Sequence, residues 1–189
     1  TLTLENATFR DNDATSNAGA VYAKIATTTI KKSTFTGNYG AKDGGALYYR
    51  EGKIDITDCV FTDNESNSVG AAISFSGNAK ATITGGTFEG GKATSGGAVV
   101  VQGDAVLTVS GGTYQNNPTT TYGGAFTLYN GHLILGGGAQ ITGNTANRGG
   151  AIDLRETSSL VLKDCTITGN SAKDAAVINA DTSSVLTIN

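Results

Sequence analysis

The sequence predicts an all-β chain wound as a right-handed, single-stranded parallel β-helix: about seven coils of 26–27 residues, three short strands to a coil. Three observations predict it. An apolar residue followed three places later by Asn, once by Gly, recurs as Phe9/Asn12, Phe35/Asn38, Phe61/Asn64, Phe88/Gly91, Tyr114/Asn117, Ile141/Asn144 and Ile167/Asn170, at intervals of 26, 26, 27, 26, 27 and 26 residues. A small-residue marker keeps the same beat: Gly19-Ala20-Val21, Gly44-Gly45-Ala46-Leu47, Gly70-Ala71-Ala72-Ile73, Gly96-Gly97-Ala98-Val99, Gly123-Gly124-Ala125-Phe126 and Gly149-Gly150-Ala151-Ile152, degrading to Asp174-Ala175-Ala176-Val177. The composition agrees, because 27 Gly, one Pro and abundant Thr, Val and Ile in 189 residues favour short strands and tight turns over helices.

Each copy divides into three alternating segments. The first follows the glycines and places Val21/Ala23, Leu47/Tyr49, Ile73/Phe75, Val99/Val101, Phe126/Leu128 and Ile152/Leu154 on one face at spacing two. The second does the same with Leu2/Leu4, Thr28/Ile30, Ile54/Ile56, Ala81/Ile83, Leu107/Val109, Leu133/Leu135, Leu160/Leu162 and Leu186/Ile188. After a short corner such as Lys31-Lys32, the third pairs a small residue with a large one: Ala7/Phe9, Ser33/Phe35, Cys59/Phe61, Gly86/Phe88, Gly112/Tyr114, Ala139/Ile141 and Cys165/Ile167. Strands this short are unstable alone, so each coil must hydrogen-bond in parallel to the next, and parallel connections are right-handed. Ladders of like residues then fill the interior. The recurring Asn stands where the third strand turns, which predicts left-handed backbone there, with Gly91 as its substitute and stacked amides bonding coil to coil.

The pairing of FxxN with GGA followed by Ile, Leu or Val, as in Phe35-Thr36-Gly37-Asn38 with Gly44-Gly45-Ala46-Leu47, resembles the repeats of chlamydial polymorphic membrane proteins and related adhesin-like surface proteins. The resemblance covers essentially the whole chain. It implies a secreted or cell-surface β-helical passenger with a role in adhesion, whose partner is a host protein or glycan. Departures at Phe88-Glu89-Gly90-Gly91, Ile141, Ile167 and Asp174-Ala175 leave the architecture readable, and the motif carries no chemistry from which a receptor follows.

The rest of the sequence offers little for catalysis. A net charge of −3 with scattered Lys and Arg argues against nucleic acid or an anionic membrane as partner. No apolar run reaches the roughly 20 residues of a membrane-spanning helix. Both ends cut through a repeat, so further coils of a longer chain are expected partners. Polysaccharide-cleaving β-helices of the pectate lyase kind are the rival reading, this chain then being their non-catalytic portion. Such enzymes gather carboxylates and a basic side chain in a cleft, whereas the loop after each Asn here has only three to five residues. Asp11, Asp13, Asp55, Asp58, Asp63 and Glu65 fall in different columns or two coils apart, about 10 Å along the axis. Asp55, Asp58, Asp63 and Glu65 crowd one coil but are expected to be solvated turn charges. No catalytic, cofactor-binding or metal-ligating residue is expected. His132, without a Ser or Cys partner in the pattern, is expected to be an exposed strand-edge residue. Cys59 and Cys165 share one inward column about 19 Å apart, beyond disulfide reach. Asn6-Ala7-Thr8 and Asn64-Glu65-Ser66 fit a glycosylation sequon, the second within the Asn column. The outward candidates for partner contact are Tyr22 and Tyr48, in one column of adjacent coils, with Arg50 beside them.

Overall fold

The alternating segments become strands, each pairing with its equivalent one period away. The computed structural model describes the backbone of residues 1–189 and the side chains of all but residues 25 and 26. Phe9 registers with Phe35, Phe35 with Phe61, Phe61 with Phe88 and Phe88 with Tyr114, all in parallel pairs. No helix forms among the described residues.

The first two segments share one 13-stranded sheet. In strands Val21–Lys31 and Leu47–Thr57 they run on as single strands of 11 residues; from Ile73–Ser76 and Lys80–Thr84 onward a turn divides them. The third segment builds a seven-stranded sheet from Thr8–Arg10 to Cys165–Thr168. The stretch after each Asn is not a bare loop. It forms a short fourth strand, first as Asp13–Ala14, Tyr39–Gly40 and Glu65–Ser66, then as Ala93–Ser95, Thr119–Tyr122, Thr145–Arg148 and Ser171–Asp174. Once three sides are in register, equivalent amides on the fourth lie a strand spacing apart, and pairing satisfies them.

Inside, the aromatic file stacks face to face: ring centroids lie 4.8, 4.6, 4.9 and 4.6 Å apart from Phe9 to Tyr114. The file then turns, Tyr114 meeting Phe126 at 4.7 Å and 48°. The Tyr114 hydroxyl is buried without a partner, and burial pushes the phenol up from its usual range. Cys59 is buried and Cys165 half-buried in their shared column, both as free thiols. Burial raises both, Cys59 meeting the Thr57 carbonyl at 3.3 Å, as suits small core residues.

The Asn column is a hydrogen-bonded ladder, but the Asn backbone is not left-handed. Positive φ falls one residue earlier, at Asp11, Gly37, Asp63, Gly90, Asn116, Gly143 and Gly169, so the corner precedes the amide. Freed from turning the chain, each Asn side chain points along the stack. Asn38 Nδ2 donates to Asn64 Oδ1 at 2.9 Å and to the Phe9 carbonyl at 3.1 Å; Asn144 Nδ2 donates likewise to Asn170 Oδ1 and to the Tyr114 carbonyl, both at 2.9 Å. Gly91 divides the ladder into Asn12–Asn38–Asn64 and Asn117–Asn144–Asn170. Asn64 is buried within it, whereas Asn6 is an exposed turn residue.

Gly91 also lacks positive φ, and its reason for being Gly is steric. A Cβ on Gly97 would lie 2.7 Å from the Asn117 Cβ, and one on Gly124 would lie 2.8 Å from that of Asn144. The second Gly of these two markers therefore makes room for an Asn twenty residues later. In the coil that carries Gly70-Ala71, the methyl is on Ala71, and the residue twenty later is Gly91. A Cβ there would lie 3.1 Å from the Ala71 Cβ and 2.0 Å from the Gly97 carbonyl oxygen. Two departures from the repeat are one exchange of volume. Gly91→Asn, although it restores the motif, is accordingly expected to cost about 1–3 kcal/mol by overpacking, and Ala71→Gly in the same chain to recover part of that loss, because the closer approach to the Gly97 carbonyl remains. A four-member denaturation cycle checks this; a stabilising Gly91→Asn, or strict additivity, would refute the exchange.

The last marker needs a one-residue correction. Ile152 registers with Ile178, not Val177, and the left-handed corner held by Gly149 in the preceding coil is held by Ala175. The Asp174-Ala175-Ala176-Val177 alignment fails because backbone conformation, not residue type, sets the corner.

Candidate functional site

Tyr22 and Tyr48 stack as their shared column requires, rings 5.3 Å apart and 21° from parallel. They are not equally displayed. Tyr22 is 52% exposed, whereas Tyr48 is only 7% exposed, and its hydroxyl accepts a 2.8 Å hydrogen bond from Ser76. The expectation of a surface pair is corrected to one exposed ring resting on a buried one. The cause is general to this column: Ser74, Val100, Thr127 and Asp153, its next members, are also buried. Arg50 is exposed, makes a loose 3.6 Å pair with Glu51 and registers with exposed Lys24. Ser16, Asn17 and Tyr22 border an open depression of about 330 Å³.

His132 is not at an edge. Its strand, His132–Gly136, lies between Val106–Ser110 and Ser159–Leu162, and its Nδ1 is 2.7 Å from the Ser159 hydroxyl. This is a bond between neighbouring strands, made because the two residues stand in register. Among the acidic residues of the crowded coil, Asp55 pairs with Lys53 at 2.8 Å on the outer face. No group of three or more His, Cys, Asp or Glu side chains is placed to hold a metal ion among the described residues.

Sequence reasoning missed a polar cluster around Asp153 and Arg155. Asp153, fully buried, has Oδ2 2.8 Å from the Asn179 amide and Oδ1 3.9 Å from Arg155 Nη1. Arg155 Nε lies 3.6 Å from Asp181, and its guanidinium sits over the Tyr122 ring at 4.1 Å. Arg148 and Asp174 pair at 3.5 Å nearby, beside a depression of about 300 Å³ also lined by Thr121, Asn147 and Lys173. Burial pushes the Asp153 carboxyl up to about 6, and Asp181 adds to the shift while Asn179, Arg155 and Arg148 oppose it. The signal was present in Ile152-Asp153-Leu154-Arg155, where a carboxylate takes the column held elsewhere by Tyr, Ser, Val or Thr. It went unread because that column faces away from the aromatic core, and its burial depends on the fourth strand.

The family described as "Right handed beta helix region" matches residues 1–114 and 71–189, and the chain belongs to it. No curated protein and no solved structure matches the chain.

Proposed function

We propose that the chain is a segment of a secreted or cell-surface β-helical stalk or adhesive passenger, acting by contact and not by catalysis. The observation that carries this reading is the exposed Tyr22 ring, preorganised by stacking on Tyr48, with exposed Lys24 and Arg50 two residues further along the two strands. An aromatic face beside a guanidinium suits a protein or sugar partner. The resemblance of FxxN and GGA repeats to chlamydial polymorphic membrane proteins supports a surface location and a host protein or glycan as receptor. Further coils of the chain are its other partners; nucleic acid and membrane are not. Short connections on every side of the coil support the absence of catalysis, since nothing walls a cleft around a glycosidic bond.

A screen of the immobilised chain against glycans and host-cell surface proteins tests the proposal. Binding is expected to be weak and to fall several-fold in Tyr22→Ser and in Arg50→Ala, with no turnover of uronate or neutral polysaccharides, with or without Ca²⁺. Tyr48 is a poor probe, because its buried ring and hydroxyl serve stability. Binding indifferent to Tyr22→Ser would remove this patch, and reproducible polysaccharide cleavage would favour the reading as part of a carbohydrate-cleaving β-helix.

A further inference from the structure

The Asp153 cluster joins the last two coils. Strand Ile152–Arg155 pairs with Phe126–Tyr129 on one side and with Ile178–Ala180 on the other, Asp153 standing opposite Thr127 and Asn179. The one hydrogen bond of its side chain among the described residues crosses to the following coil, from Asn179. Asp153 Oδ1 and Arg155 Nη1 are both buried without hydrogen-bond partners, 3.9 Å apart. The same guanidinium turns Nε toward Asp181, just past strand Ile178–Ala180, at 3.6 Å. One cation is therefore divided between two carboxylates, the fully buried Asp153 and the Asp181 side chain, 39% exposed.

Among the described residues only Arg148 adds positive charge to the cluster, and it does so from a distance. Tyr129, on the strand preceding Arg155, donates its hydroxyl to Ser95, and burial raises it further out of the physiological range. Tyr122 offers its ring face to Arg155. Arg148 is engaged by Asp174, and Lys173 lines the open depression beyond them. With both carboxylates ionised, the junction carries an excess negative charge, half of it out of water. A buried charge without full pairing is costly, whereas a protonated carboxyl needs only ordinary hydrogen bonds.

We propose that Asp153, Arg155, Asn179 and Asp181 form a clasp between the coils of Ile152–Arg155 and Ile178–Ala180 that acid tightens: one proton taken up by Asp153 cancels the excess charge and leaves Arg155 to Asp181 alone. An ordinary salt bridge behaves in the opposite way, loosening when its carboxylate is protonated. The sign follows from linkage. The folded carboxyl holds its proton up to about 6, against 3.8 for an aspartate free in water, so between those values the folded form binds more protons and stability falls as pH rises. Complete exposure of Asp153 would change the opening equilibrium by roughly a hundredfold. Opening of the last coil alone exposes it in part, so roughly tenfold is expected.

Hydrogen exchange of the 189-residue chain between pH 4.5 and 7.5, corrected for intrinsic rates, tests the clasp. Protection across residues 178–188 is expected to drop roughly tenfold as pH rises through about 6, while protection across residues 97–110 stays level. Asp153→Asn should abolish the drop and keep high protection throughout. Asp181→Asn, at a partly exposed site that folding tolerates, should shrink the drop by leaving Arg155 to Asp153. Protection in the unsubstituted chain that stays level or rises with pH would overturn the clasp. So would an unchanged drop in Asp181→Asn, whether or not Asp153→Asn folds.

Discussion

Phe61→Ala is expected to lower the stability of the chain by about 3–5 kcal/mol, whereas Asp55→Ala should cost less than about 1 kcal/mol. Phe61 is fully inside, its ring sandwiched between Phe35 at 4.6 Å and Phe88 at 4.9 Å. Removing it takes away stacking on both faces and leaves a void that neighbouring rings cannot fill, because each is held in register by its own strand. Asp55 loses only an exposed pair with Lys53. Urea denaturation with unchanged slopes checks the contrast, and equal midpoint shifts would refute the inward and outward assignment of these columns.

The interior was legible because stacking turns a sequence period into a spatial column. Phe9, Phe35, Phe61, Phe88 and Tyr114 stand every 26 or 27 residues, and hydrogen bonding between coils leaves them nowhere to go but onto one another. What lay between the columns was harder to read. That Gly97 faces Asn117, and Ala71 therefore faces Gly91, depends on how the corner before each Asn bends, and the corner residue varies among Asp, Gly and Asn. The Val177 alignment failed for a similar reason: Ala175 adopts φ 53° in place of a glycine, so a residue-type match pointed one position away from the conformational one.

The candidate sites divide along the same line. The Tyr22–Tyr48 stack follows from strand alternation alone, which places both rings outside the aromatic core. Alternation has two faces, however, and does not say whether an outward face meets water. Strand Thr119–Tyr122 and its neighbours fold over that face, as the Tyr122 contact with Arg155 and the Thr127 hydroxyl donating to the Tyr122 carbonyl at 3.1 Å make plain. Tyr48 and Asp153 thereby become interior residues of a second, thinner layer. An ionisable group in that layer is perturbed by burial in a way that its position on an alternating strand does not announce.

Asn144→Ala is expected to destabilise the chain by at least about 3 kcal/mol, a loss comparable to that of a large core side chain. Its Oδ1 accepts from the Asn117 backbone at 3.1 Å and the Asn117 amide at 2.9 Å, while its Nδ2 donates to the Tyr114 carbonyl and to Asn170 Oδ1. Truncation leaves these groups without their partner at a position fully out of water. Each buried polar group so stranded costs about 1–3 kcal/mol, and local relaxation can recover only part of the sum. Asn170→Ala is the matched comparison. It removes a similar set, from Asn144 and to the carbonyls of Ile141 and Thr168, at a half-buried position where water can take over. The Asn170 variant should therefore lose less, by about 1 kcal/mol or more, in parallel denaturation curves. Equal losses would mean that the ladder stabilises through local turn geometry and not through burial of its amides.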